Sequence, residues 1–188
     1  MAPHGNSGDC AVGKVAARAS WGPWAVGALL AVVMLGPALA PGPLFTLDQV
    51  LPPQVPVPRG MWGLGPELPR RVPMWLPVAW LSPLIGGDTV GKLLMIATIV
   101  LAFVGAHRLT TWMLDETGAS RSDATAYGAA CLYALSPFLL TRIGVGHLMV
   151  ALPMALLPWV LPILLRPADR LRLTFLACLL YTSPSPRD

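Results

Sequence analysis

Charge is what this sequence has least of: Asp, Glu, Lys and Arg together make up 12% of its 188 residues, against roughly a quarter in a soluble globular domain. So small a charged fraction, beside 55% apolar residues and a mean hydropathy of +0.63, excludes a solvated or disordered chain and a conventional soluble core. Strict apolar/polar alternation is also missing from the apolar runs, which excludes a membrane β-barrel. Cysteine is sparse. Cys10, Cys131 and Cys178 have neither metal-ligand nor disulfide-framework spacing, and Cys131 inside an apolar run reads as a buried thiol. No GxGxxG, GxxxxGK[ST], HExxH or GxSxG string occurs, which removes nucleotide-cradling, zinc-peptidase and serine-hydrolase readings for this stretch of chain.

Long apolar runs are what it does have. Residues 24–40, 91–106, 124–140 and 148–165 each approach the length that crosses about 30 Å of hydrocarbon as a helix. Only helices and closed barrels satisfy their backbone groups in lipid. The expected fold is therefore all-α, a polytopic transmembrane helical bundle occupying residues 21–177, with the lipid bilayer as its first partner. The net charge of +4 does not point to nucleic acid, because Lys and Arg sit mainly between apolar runs, where membrane topology accounts for them.

The polar N-terminal tail, residues 1–20, carries Lys14 and Arg18 ahead of the first run, and this places the N-terminus in the cytoplasm of a multi-pass protein of the cytoplasmic membrane. Threading four spans from there puts Arg108, Arg121 and the RPADRLR cluster inside, with Arg59, Arg70, Arg71, Lys92 and Arg142 outside. A cleavable signal peptide ending near Ala38-Leu39-Ala40 is a competing reading of the first run. It leaves the downstream topology unchanged. Residues 173–177, LTFLA, read as the start of a fifth span. The following CLLYTSPSPRD, residues 178–188, resembles one reading frame of a transposase sequencing adapter and is expected to be foreign to the protein.

Residues 41–90 combine many prolines with Trp62, Trp75 and Trp80 and few charges. Such proline density forbids one continuous helix, and the apolar character predicts a segment lying at the membrane surface with VPMWLPVAWLSPLIGG as an interfacial or re-entrant helix. HRLTTWMLDETGASRSDATA reads as a short polar loop and LSPFLLTRIGVGH as a tight turn before the fourth span. Pro153, Pro158 and Pro162 in that span imply a kinked, protein-buried helix whose freed carbonyls find other donors.

The ionisable groups expected at the outer face include Asp48, Glu67, Arg70, Arg71, Asp88, Lys92, Arg142 and His147. Lys92, Arg70 and Arg71 read most simply as side chains snorkelling to the interface, and His147 as a helix-start histidine. Asp48 stands apart, in the otherwise uncharged LFTLDQVLPP, although a loop-turn aspartate is its plain reading.

A first span, a long outer loop with an early aspartate and interfacial helices, then closely spaced helix pairs, resembles the GT-C class of membrane glycosyltransferases. The strings TLDQVLPPQ, GLGPELPRRVP, and LSPFLLTRIGVGH followed by LMVALPMALLPW resemble an uncharacterised group of large actinobacterial polytopic membrane proteins related to that class. Asp48, Arg70 with Pro73, and Pro137, Arg142, Gly146 and His147 match that group's pattern, while Thr141 stands where it often has an acidic residue. The resemblance implies transfer of a sugar from a polyprenyl-phosphate donor to a cell-envelope acceptor. It implies Asp48 as catalytic base or as ligand of a divalent metal. Arg142 with His147, or Arg70 with Arg71, would hold the lipid phosphate. A secondary transporter and a non-catalytic membrane scaffold are the alternatives.

Overall fold

The computed structural model describes residues 21–42, 51–55, 72–120 and 122–165. Among them the secondary structure is helical throughout: α1 (Gly22–Leu35) with a 3-10 turn after it (Gly36–Leu39), α2 (Val72–Ile85), α3 (Gly87–Glu116), α4 (Asp123–Ala134), α5 (Pro137–Val145) and α6 (Leu148–Leu165). The segments at 173–177 and 178–188 lie outside the described residues, as do Trp62 and the side chain of Trp75.

The long helix α3 is the hub, and α1, α2, α4 and α6 all pack on it. Helix α1 runs antiparallel to it, with Gly27 facing Phe103 and Ala40 facing Lys92. The Tyr127 ring of α4 meets Phe103 at 6.2 Å and His107 at 4.7 Å between centroids. Trp159 of α6 donates its indole N–H to the Leu101 carbonyl at 2.9 Å. That approach needs Gly105, where a Cβ would stand 2.5 Å from the indole nitrogen and 2.7 Å from Cδ1. Phe103, Ile99, Ala102, Ala130, Leu139 and Ala151 fill the shared core.

Three helical stretches (Gly22–Leu39, Gly87–Glu116 and Leu148–Leu165) are long and apolar enough to cross a membrane, and α4 with α5 makes a fourth if the bent pair is one span. The most apolar stretch of α3 is 56% buried in the bundle, against 22% for α1 and for α6. The outer two therefore turn most of their apolar surface, including Leu29, Val33, Leu157 and Leu165, to the bilayer. This is the multi-pass helical membrane bundle expected from composition.

Several local expectations change. The continuous apolar run 124–140 is two helices bent by 42°, because Pro137 lacks the N–H that would continue α4. Ser136 instead caps a new helix by accepting from Leu139 N. The segment expected as a tight turn is mostly that helix, α5. The stretch from His107 to Glu116, expected as loop, extends α3. An apolar run marks only the hydrocarbon crossing, whereas 30 residues at about 1.5 Å each reach through both headgroup layers. Helix α6 continues unbroken through its three prolines, and only Leu148, Ala151, Ala155 and Pro158 of it are buried, so it is not the protein-buried helix expected. The Met154 carbonyl, freed by the missing N–H of Pro158, accepts the Tyr133 hydroxyl at 2.6 Å. In α2 the Ala79 carbonyl, freed by Pro83, accepts the Ser82 hydroxyl at 3.2 Å.

Candidate functional site

The antiparallel α1–α3 and α3–α4 pairs, with α6 returning beside α3, bring one set of chain positions to a single end of the bundle. Residues 40–42 and 51–55 contact the start of α3 there, and the α5–α6 junction lies toward the same end. The far end carries Arg108, Asp115, Glu116 and Asp123.

At the α5–α6 junction, α5 closes on Gly146, whose φ of 92° is left-handed, a conformation glycine adopts without strain. Gly146 N donates to the Arg142 and Ile143 carbonyls, and His147 N donates to the Arg142 carbonyl at 2.8 Å. This turn folds His147 back over the last turn of α5, so that Arg142 Nη1 lies 3.0 Å from His147 Nδ1. A guanidinium has donors only, so Nδ1 accepts and the ring hydrogen sits on Nε2. The guanidinium also lies over the Phe138 ring, 5.3 Å from its centroid. A planar cation fixed on one side by a ring face and on another by an imidazole keeps donors oriented for a phosphate or carboxylate. Thr141, standing where the resembling group often has an acid, turns its hydroxyl to the Pro137 and Phe138 carbonyls of its own helix.

The first two turns of α3 contribute Asp88 and Lys92. Asp88 lies in the first helical turn, where a carboxylate complements the helix dipole. Lys92 does not simply snorkel: its ammonium donates to the Ala40 carbonyl at 2.6 Å and the Gly42 carbonyl at 2.8 Å. These acceptors are 52 and 50 residues away in sequence, and no local motif announced the contact. The Arg142–His147 contact had a signal in the Gly-His string closing a short helix.

Of the residues singled out in the sequence, Arg142 and His147 are brought together. Asp48, Arg70, Arg71 and Glu67 lie outside the described residues. Among the described residues no three His, Cys, Asp or Glu side chains converge as a metal site requires; Asp48, the expected metal ligand, lies outside them.

No curated protein and no solved structure matches the chain. A family model does match residues 88–182, a range that also takes in residues 178–182 of the stretch whose sequence reads as foreign. It covers α3 from its first turn, the bent α4–α5 pair, the Arg142–His147 junction and the whole of α6. By that match the chain belongs to the GT-C glycosyltransferase family described as alpha-(1->3)-arabinofuranosyltransferase, N-terminal GT-C domain.

Proposed function

We propose that this chain forms the N-terminal part of a glycosyltransferase that moves a sugar from a polyprenyl-phosphate donor to a cell-envelope acceptor at the outer face of the cytoplasmic membrane. The family description makes an arabinofuranosyl unit the sugar of choice. The observation that carries the reading is the oriented Arg142–His147 pair within the matched segment. Anionic donors are what a fixed guanidinium recognises, and an outer-face end follows from the positive-inside reading of the N-terminal tail.

In this scheme Asp48 is the base. It removes the proton of the acceptor hydroxyl as that oxygen bonds to the anomeric carbon. The bond from that carbon to the phosphate oxygen breaks, and the polyprenyl phosphate leaves with its charge held by the Arg142 guanidinium. Asp48 precedes the buried Leu51 by three residues in the sequence. Leu51 packs against Val78 and Val90 beside the first turn of α3. Arg70 and Arg71 supply further positive charge from the same loop. The exposed Trp80 of α2 suits an interfacial surface along which a polyprenyl chain can lie.

The test is Asp48→Asn in the full-length protein in native membranes. Transfer of radiolabelled sugar from a polyprenyl-phosphate donor should fall by about 10²–10⁴-fold, with expression and insertion unchanged. Full transfer in that variant would return Asp48 to a loop role. A secondary transporter would keep its determinants near the bilayer midplane, whereas Lys92, Arg142 and His147 gather at one end.

A further inference from the structure

The bent pair α4–α5 buries one side and leaves the other open. Ala126, Ala130 and Ala134 of α4 and Leu139 and Ile143 of α5 face the core, whereas Leu132, Leu135 and Phe138 are exposed. Leu132 and Leu135 share one side of α4 by their spacing of three, and Phe138 and Arg142 share one side of α5 by their spacing of four. The Arg142 guanidinium rests over the Phe138 ring. Exposed apolar side chains therefore lead step by step to a cation. The length of this ladder is half a membrane: Arg142 is ten residues beyond Leu132, about 15 Å at the helical rise, and the hydrocarbon layer is about 30 Å thick. With Asp123 starting the pair at one end and Arg142 at the other, Leu132 stands near the midplane and Arg142 at the boundary, the places of tail and head of a lipid in one leaflet.

The head position suits an anion. A guanidinium has several N–H donors; His147 accepts one of them, and the rest can serve a ligand. Helix α5 contains no acidic residue, and the Thr141 hydroxyl beside Arg142 is turned onto the Pro137 and Phe138 carbonyls. Other exposed apolar faces end differently. The outer end of α1 meets Lys92, whose ammonium is taken by the Ala40 and Gly42 carbonyls. Trp80 and Leu84 of α2 lead toward Asp88, a carboxylate that repels phosphate. Apolar contact alone gives a tail little preference for any of these faces, because acyl chains are as apolar as leucine. At α4–α5 the cation supplies the attraction and the ladder supplies the direction.

We infer that the Leu132, Leu135 and Phe138 side of α4–α5 is the track for the prenyl units next to the donor's phosphate, with Arg142 holding the phosphate at its outer end. The inference rests on the transferase reading for the identity of the lipid; the track itself rests on these four residues. Because the head holds the tail in place, loss of Arg142 releases both.

The experiment uses the full-length protein in phosphatidylcholine nanodiscs containing a trace of radiolabelled polyprenyl phosphate. A photoreactive benzoylphenylalanine replaces Leu132, Leu135 or, as a control on α1, Leu29, all three exposed, so that insertion and folding are preserved. Crosslinking from positions 132 and 135 should exceed that from position 29 about tenfold, the ratio that one charge-assisted hydrogen bond to a phosphate supplies. In Arg142→Met it should fall to the level of position 29, and an excess of phosphatidylglycerol should not displace the label. Equal crosslinking at the three positions makes the probe ordinary boundary lipid and overturns the track. Displacement by phosphatidylglycerol makes the occupant any anionic lipid and overturns the assignment to the donor. Crosslinking that survives Arg142→Met overturns the coupling of head to tail. Sugar transfer is measured separately on the wild type: transfer without selective crosslinking overturns the track and leaves the transferase reading standing, whereas selective crosslinking without transfer overturns the transferase reading and leaves the track as a polyprenyl phosphate site.

Discussion

The two ends of this bundle use positive charge in opposite ways. At one end Lys92 and Arg142 are each pinned by directional contacts, to carbonyl oxygens in one case and to an imidazole nitrogen in the other. At the other end Arg108 is exposed and lies over the Trp159 ring, 5.0 Å from its centroid. The Trp24 ring is 6.3 Å from Trp159, and Trp21 stands almost fully exposed before α1. Ring stacks with a floating cation suit the headgroup layer, where orientation matters little. Directional bonds fix donors in space, and only fixed donors can select a ligand. Arg108 at the far end stands among Asp115, Glu116 and Asp123, whereas Lys92 and Arg142 are held by directional bonds.

Arg142→Met is the sharpest way to break that contrast. Losing a charged hydrogen-bond partner to a phosphate should lower sugar transfer by about 10–100-fold. Arg108→Met, measured in the same assay, should stay within about threefold of wild type. Equal losses at both ends would erase the distinction.

Next in size is the contact that carries α6 onto α3. Gly105→Ala drives a methyl into the Trp159 indole and should destabilise the purified protein by about 1–3 kcal/mol in thermal unfolding. Gly128 in α4 has open space where a Cβ would go, so Gly128→Ala should be neutral or stabilising by up to about 1 kcal/mol. A smaller effect is expected from Tyr133→Phe, which leaves the Met154 carbonyl without its hydroxyl donor. Interhelical hydrogen bonds in membranes average about 0.6 kcal/mol, so the same unfolding assay should show a shift near that size.

How much of this was legible beforehand follows from what each feature depends on. Apolar length is a local property, and the run 148–165 is one helix with those limits. The membership read from TLDQVLPPQ and from LSPFLLTRIGVGH agrees with the family match over the second string. The bend at Pro137 was less legible, because a Ser-Pro pair reads equally as a turn or as the cap of a new helix, and packing of Leu139 and Ile143 into the core selects the helix. Lys92 was least legible of all. Its partners are backbone atoms of a distant segment, and a carbonyl leaves no mark in a sequence. Arg142 and His147 stand between these cases, since a spacing of five around a glycine suggests a fold-back without dictating it.

The polar bonds of the bundle also divide by when they can form during synthesis. Thr98 and Thr110 return their hydroxyls to the Leu94 and Ala106 carbonyls of their own helix, so α3 can enter hydrocarbon with those groups already satisfied. Tyr133 to Met154 and Trp159 to Leu101 join separate helices and must wait until α6 has been made. Helix α1, without a charged residue and with lipid-compatible surface on most sides, can stand alone in the bilayer while α3 is still on the ribosome. The order of translation is therefore compatible at each step with the solvent each helix meets. The late bonds, which seal α6 against α3 and α4, mark the point at which a set of inserted helices becomes a folded protein.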